Sequence, residues 1–137
     1  MNRSDFQQIA ELRLEEANSL LNDGRPHGAY YLAGYAVECA LKACIARRTQ
    51  QHDFPERESK SYYSHNLADL INFARLKGEL DQAMRLDPAL RANWTIVQDW
   101  SEESRYEIFR TGPDAAQLLR AISDTNGGLL PWLRQRW

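Results

Sequence analysis

Arg105, like the other arginines of this chain, carries a planar fork of donors that matches a phosphate or a carboxylate with two parallel hydrogen bonds. Two uses compete for it. It can hold a phosphate in a groove, or it can pair with Glu38 and tie two helices together. Both residues lie among apolar neighbours in the sequence, and a buried charge needs a partner, so the Glu38–Arg105 ion pair is the expected arrangement. His65 can titrate near neutral pH or bind phosphate, but a histidine in such a place more often caps a helix or fills a polar gap. Six tyrosines, Tyr30, Tyr31, Tyr35, Tyr62, Tyr63 and Tyr106, are many phenols for 137 residues. Such rings stack on bases or sit at interfaces with the hydroxyl in water, and Tyr31 and Tyr35, four apart, share one stripe. His27 and His52 have no companions at metal-ligand spacing, and Cys39 and Cys44 point to different sides of a helix. No metal site, no disulfide and no cofactor are expected.

These side chains must be positioned by helices. Phe6, Ile9, Ala10, Ala17, Leu20 and Leu21 mark one face of a first helix, with Ser4 as its cap and Gln7 at the capping-box position. Residues 22–26, with Gly24 and Pro26, end it. The strongest pattern follows: Ala29, Leu32, Ala33, Ala36, Val37, Ala40, Leu41 and Cys44 recur every three or four residues. Small residues let neighbours approach closely, so this is the expected central helix of a bundle. Its other stripe carries Tyr31, Tyr35, Glu38 and Lys42, with Glu38 and Lys42 in the acid-before-base order that favours an i,i+4 pair.

Residues 49–64 read as a polar loop. A third helix starts near Ser64-His65, buries Leu67, Leu70, Ile71 and Ala74, and ends at Gly78. A short helix covers 80–86. Asp87-Pro88 opens the next, with Leu90, Trp94 and Val97 inward. Thr111-Gly112-Pro113 opens the last long helix, with Ala115, Leu118, Leu119 and Ile122 inward. Gly127-Gly128 and Pro131 break it, and 129–137 add a terminal turn or two. No strand survives, so the fold expected is all-α, an up-and-down bundle of four to five main helices with a short extra helix, forming a single domain over 1–137. Trp94 reads as core, whereas Trp132 and Trp137 are candidates for packing on a second subunit.

Composition narrows the classes. Apolar residues make up 43%, a globular value, and no apolar run approaches the length of a membrane span. The first residues lack the continuous apolar stretch of an export signal, which makes the cytoplasm the expected compartment. A net charge of −2 argues against a domain held to nucleic acid by a large positive field. Two local basic clusters stand out against it, Arg47-Arg48 and Arg134-Gln135-Arg136, and such clusters are usually solvated helix ends.

The run Ala29-Tyr30-Tyr31-Leu32-Ala33-Gly34-Tyr35-Ala36-Val37-Glu38-Cys39-Ala40-Leu41-Lys42-Ala43 resembles the signature helix of the HEPN domain family, in which a small residue precedes Ala-Val-Glu, an apolar residue and Leu-Lys-Ala. His65-Asn66-Leu67 is similar to that family's His-x-Leu, Arg105-Tyr106 to its Arg-Tyr pair, and a closing Ala/Leu-rich helix follows in the same order. The resemblance implies a helical bundle that commonly forms homodimers. It also implies a role as a ribonuclease of toxin–antitoxin or defence systems, as a partner of a small nucleotidyltransferase, or as a module assisting nucleotide binding. Ribonuclease members carry Arg, four to six residues, then His. Here Arg110 occupies that position, and arginine is a poor proton-transfer group. The reading that follows is a module that dimerises and binds a nucleotide, a nucleic acid such as RNA, or a nucleotidyltransferase, without catalysis of its own. Arg105, Tyr106, Arg110, His65, Tyr31 and Tyr35 are its candidate ligand-binding residues. The alternatives are a ribonuclease built on Arg105, in which Arg110, Tyr106 or His65 replaces the missing histidine, and a structural helical adaptor with no small ligand.

Overall fold

A computed structural model of the chain describes residues 1–52 and 63–137. Seven α-helices and one 3-10 turn account for the regular structure among the described residues, with no strand. They are α1 (Arg3–Asn22), α2 (Pro26–His52), α3 (Leu67–Phe73), α4 (Lys77–Leu86), α5 (Pro88–Gln98), the 3-10 turn Glu102–Tyr106, α6 (Gly112–Ser123) and α7 (Leu129–Arg134). The all-α bundle read from the sequence is the fold observed.

Helix α2 is the axle. Nearly every residue from Ala33 to Ala46 is buried, on all sides of the helix. A helix apolar all round must be enclosed by others, and α1, α3, α6, α7 and the 3-10 turn all pack on it. Its small side chains allow this. At Gly34 the neighbour comes closest: a Cβ there would lie 2.2 Å from the Trp100 ring. Helix α2 also runs further than expected, through His52, so residues 49–52 are helical rather than loop. Residues 53–62 of that expected loop, including Tyr62, lie outside the described residues.

Local chemistry explains the boundaries. The cap of α1 is Asn2 rather than Ser4: Asn2 Oδ1 accepts from the Asp5 amide at 2.9 Å, and Asp5 Oδ2 accepts from the Asn2 amide at 2.8 Å. That reciprocal box shifts the start of α1 two residues ahead of the sequence reading. The buried face of α1 is Phe6, Ala10, Leu14 and Ala17. Helix α3 is capped by Asn66, whose side chain accepts from the Asp69 amide at 3.0 Å. It ends at Phe73, five residues before Gly78, which sits inside α4. Arg75 takes the left-handed conformation that closes α3, with φ 55°. Asp87 caps α5, and Thr111 with Asp114 forms a capping box on α6, both where the sequence places them.

Trp94 is core, as expected. Trp132 and Trp137 pack partly buried against the core of their own chain, and the Trp137 carbonyl accepts from the Arg3 guanidinium. No helix among the described residues is long and apolar enough to cross a membrane.

Candidate functional site

Glu38 lies midway along α2 and is 1% exposed. Its Oε1 accepts from Lys42 Nζ at 2.8 Å, the i,i+4 pair that the spacing predicts, and meets His65 Nδ1 at 2.9 Å. The other nitrogen of His65, Nε2, lies 3.3 Å from Glu102 Oε2 on the 3-10 turn. His65 thus joins the start of α3 to two carboxylates, one buried and one at the rim, and the capping task falls to Asn66. Glu38 Oε2 is buried with no hydrogen-bond partner among the described residues.

The Glu38–Arg105 ion pair expected from the sequence is absent. Glu38 is paired instead through Oε1 with Lys42, one turn along the same helix, and with His65, entering from the α3 side. Arg105 itself stands exposed on the 3-10 turn. Its guanidinium lies 4.9 Å from the Tyr106 ring centroid. Hydrogen bonding to Tyr106 is the largest influence pushing the guanidinium above its ordinary pKa, and Tyr31 acts in the same direction. Arg105 makes no salt bridge to a carboxylate among the described residues; its neighbours there are the phenols of Tyr106 and Tyr31.

Tyr31 and Tyr35 form the first rungs of an aromatic ladder. Their rings stack with centroids 6.1 Å apart, and Tyr31 stacks on Trp100 at 6.1 Å. Trp100 in turn rests on Gly34. The 3-10 turn follows Trp100 directly, so the ladder sets the place of Arg105. A cleft of about 420 Å³ opens beside it, lined by Tyr63, His65, Trp100, Glu102 and neighbouring polar residues.

Arg110 is drawn elsewhere. Its Nε donates to Glu107 Oε2 at 2.6 Å, and the guanidinium sits 3.9 Å from the Tyr30 ring centroid. Tyr30 faces away from the Tyr31 stripe, and its hydroxyl pKa is raised, chiefly by burial. The residue at the motif's second position is thus held by Glu107 and Tyr30 and also lines a separate cavity with Asp99 and Asp114. The structure brings together Glu38, Lys42, His65 and Glu102, and separately Arg105, Tyr106 and Tyr31. Arg110 joins neither group.

One feature escaped the sequence reading. Tyr106 is 69% exposed, Ile108 88% and Phe109 66%. The available signal was an apolar dipeptide, Ile108-Phe109, lying outside any helical period just before the Thr111 cap. No group of three or more His, Cys, Asp or Glu residues among the described ones is arranged to hold a metal ion. The two thiols are free and buried. Burial pushes Cys39 up to about 11 and Cys44 up to about 12, far from the range of a nucleophilic cysteine.

The family model described as HEPN domain matches residues 4–127. No curated protein and no solved structure matches the chain.

Proposed function

Because the chain belongs to the HEPN domain family, a family of nucleotide- and RNA-related modules, we propose that it works as a dimer. In this reading it binds a nucleotide, a nucleic acid or a nucleotidyltransferase partner without cleaving RNA on its own. The observation that carries this is the surface around Arg105. An exposed guanidinium that forms no salt bridge with a described carboxylate stands beside exposed Tyr106, Ile108 and Phe109. Contiguous apolar exposure of this kind marks an interaction surface, and an isologous two-fold contact through it sets the two copies of Arg105 about one groove. The locking of Arg110 to Glu107 and Tyr30 supports the non-catalytic half of the proposal.

The test has two parts. Light scattering on the purified chain should give a dimer mass. Titration with ATP and with a short oligoribonucleotide should show binding that Arg105→Ala weakens at least tenfold, with no cleavage of the RNA. A monomer at micromolar concentration, or binding indifferent to Arg105, would overturn the reading.

One observation favours a second reading, a ribonuclease. The imidazole of His65 reaches Glu102 on the turn that carries Arg105, so a proton-carrying ring stands on the same side as the anion-binding group. RNA cleavage lost in both His65→Ala and Arg105→Ala, with the fold intact, would establish it.

A further inference from the structure

Two basic clusters far apart in the sequence converge at the other end of α2. Arg47, Arg48 and Arg136 all line a notch of about 300 Å³, with Leu76, Glu79 and Gln135 among the other lining residues. Cys44 forms part of the lining, its thiol 4.0 Å from the Leu133 carbonyl that ties α2 to the C-terminal segment. Arg136 is held ready. It is 2.8 Å from Glu79, donates to the Trp132 carbonyl at 2.9 Å and lies 3.8 Å from the Trp132 ring centroid. Glu79 is the only carboxylate lining the notch among the described residues, and Arg136 already engages it. Arg47 and Arg48 are half-buried and form no ion pair with a described residue. Their fields meet inside the notch: the Cys44 thiol, raised first by burial, is pulled back by Arg136 and then by Arg47.

We infer that this notch is an anion site that takes a phosphate group, with Arg47 and Arg48 as its ligands and Arg136 as a pre-positioned third donor. Half-buried guanidinia that pair with no described carboxylate repel one another, and planar forks suit phosphate oxygens better than any neutral ligand. The site is distinct from the Arg105 surface. Arg47 lies sixteen residues beyond Tyr31 on α2, about 24 Å along the axis at helical rise. It therefore stands or falls independently of the function proposed above.

Inorganic pyrophosphate and a single-stranded uridine 12-mer serve as probes of the two sources of phosphate, a free polyphosphate and a nucleic-acid backbone. Calorimetry at low salt should show pyrophosphate binding that the double variant Arg47→Gln/Arg48→Gln weakens at least tenfold, while Arg91→Gln, an exposed arginine of α5 that lines neither site, changes it less than twofold. If the oligonucleotide is the stronger ligand, the double variant should also flatten the salt dependence of its binding, by about 1.4 in the log–log slope for two lost single-strand phosphate contacts. Either pattern supports the site and identifies its source. Affinity for both probes unchanged in the double variant, or no binding of either probe by the wild type, overturns it. A second readout needs no variant: the Nε–H resonances of Arg47 and Arg48 should shift when pyrophosphate is added to the native chain, and a shift confined to Arg105 would also overturn the site.

Discussion

His65 Nδ1 meets the buried carboxylate of Glu38 at 2.9 Å. The same oxygen accepts from Lys42 at 2.8 Å, so one atom at the centre of the bundle anchors two cation-capable side chains. Around it the fold divides its charges. Glu38 is committed to the interior, and Arg105 is left to the surface.

That division makes Glu38 and Arg105 unequal under mutation. Glu38→Ala leaves Lys42, itself 7% exposed, as an uncompensated buried ammonium, and should cost about 3–5 kcal/mol in urea unfolding. Arg105→Ala removes an exposed side chain and should leave the urea midpoint close to that of wild type. Equal losses in the two variants would mean that the charges are coupled after all.

Gly34→Ala tests the Trp100 contact. The added methyl lands 2.2 Å from the ring and must push Trp100 off α2. The overpacking cost is about 1–3 kcal/mol, set against a helix-propensity gain of up to about 1 kcal/mol. A lowered melting temperature with altered tryptophan fluorescence is the expected result. A more stable variant would show that Trp100 moves aside freely.

Ile108→Glu should break self-association and leave the monomer's fold intact. Ile108 is 88% exposed and belongs to no buried cluster, so the monomer loses little. A dimer that relies on that surface must bury the new carboxylate. Sedimentation at micromolar concentration should show monomer, with an unchanged circular dichroism spectrum. A dimer that persists would move the interface elsewhere.

The thiols of Cys39 and Cys44 should resist an aromatic disulfide reagent in the folded chain and react fully in denaturant. With Cys39 pushed up to about 11, its thiolate fraction at pH 8 is about a thousandth. The linkage has a defined sign. Each folded-state pKa lies above the ordinary value of 9.0. The unfolded chain therefore releases these protons first, and stability is whole below pH 9 and falls as pH rises toward 11 and 12. Cys39→Ser and Cys44→Ser should each flatten part of that alkaline slope, which is read by melting temperature against pH.

The helical architecture was legible because its signals are local. The caps Asp87 and Thr111, the breaker at Gly127-Gly128 and the small-residue period of α2 each act within a turn or two. The Glu38–Lys42 pair was legible for the same reason. The fate of Arg105 was not, since it depends on where the 3-10 turn Glu102–Tyr106 sits relative to α2, which is set by contacts between residues far apart in the chain. His65 lies 27 positions from Glu38, and no spacing rule links them. The helix boundaries missed at Ser4 and Gly78 reflect competition: Asn2 with Asp5 makes a better box than Ser4 with Gln7, and Arg75 takes the left-handed turn that a glycine was expected to supply.

Since α1, α3, α6, α7 and the 3-10 turn all lean on α2, the helix cannot be bared without dismantling the rest. Amide protons between residues 33 and 46 should then exchange with deuterated solvent only when the entire molecule opens, all at one slow rate. Those of α4, which is partly exposed and is not among the elements packed on that axle, should exchange through smaller, earlier openings.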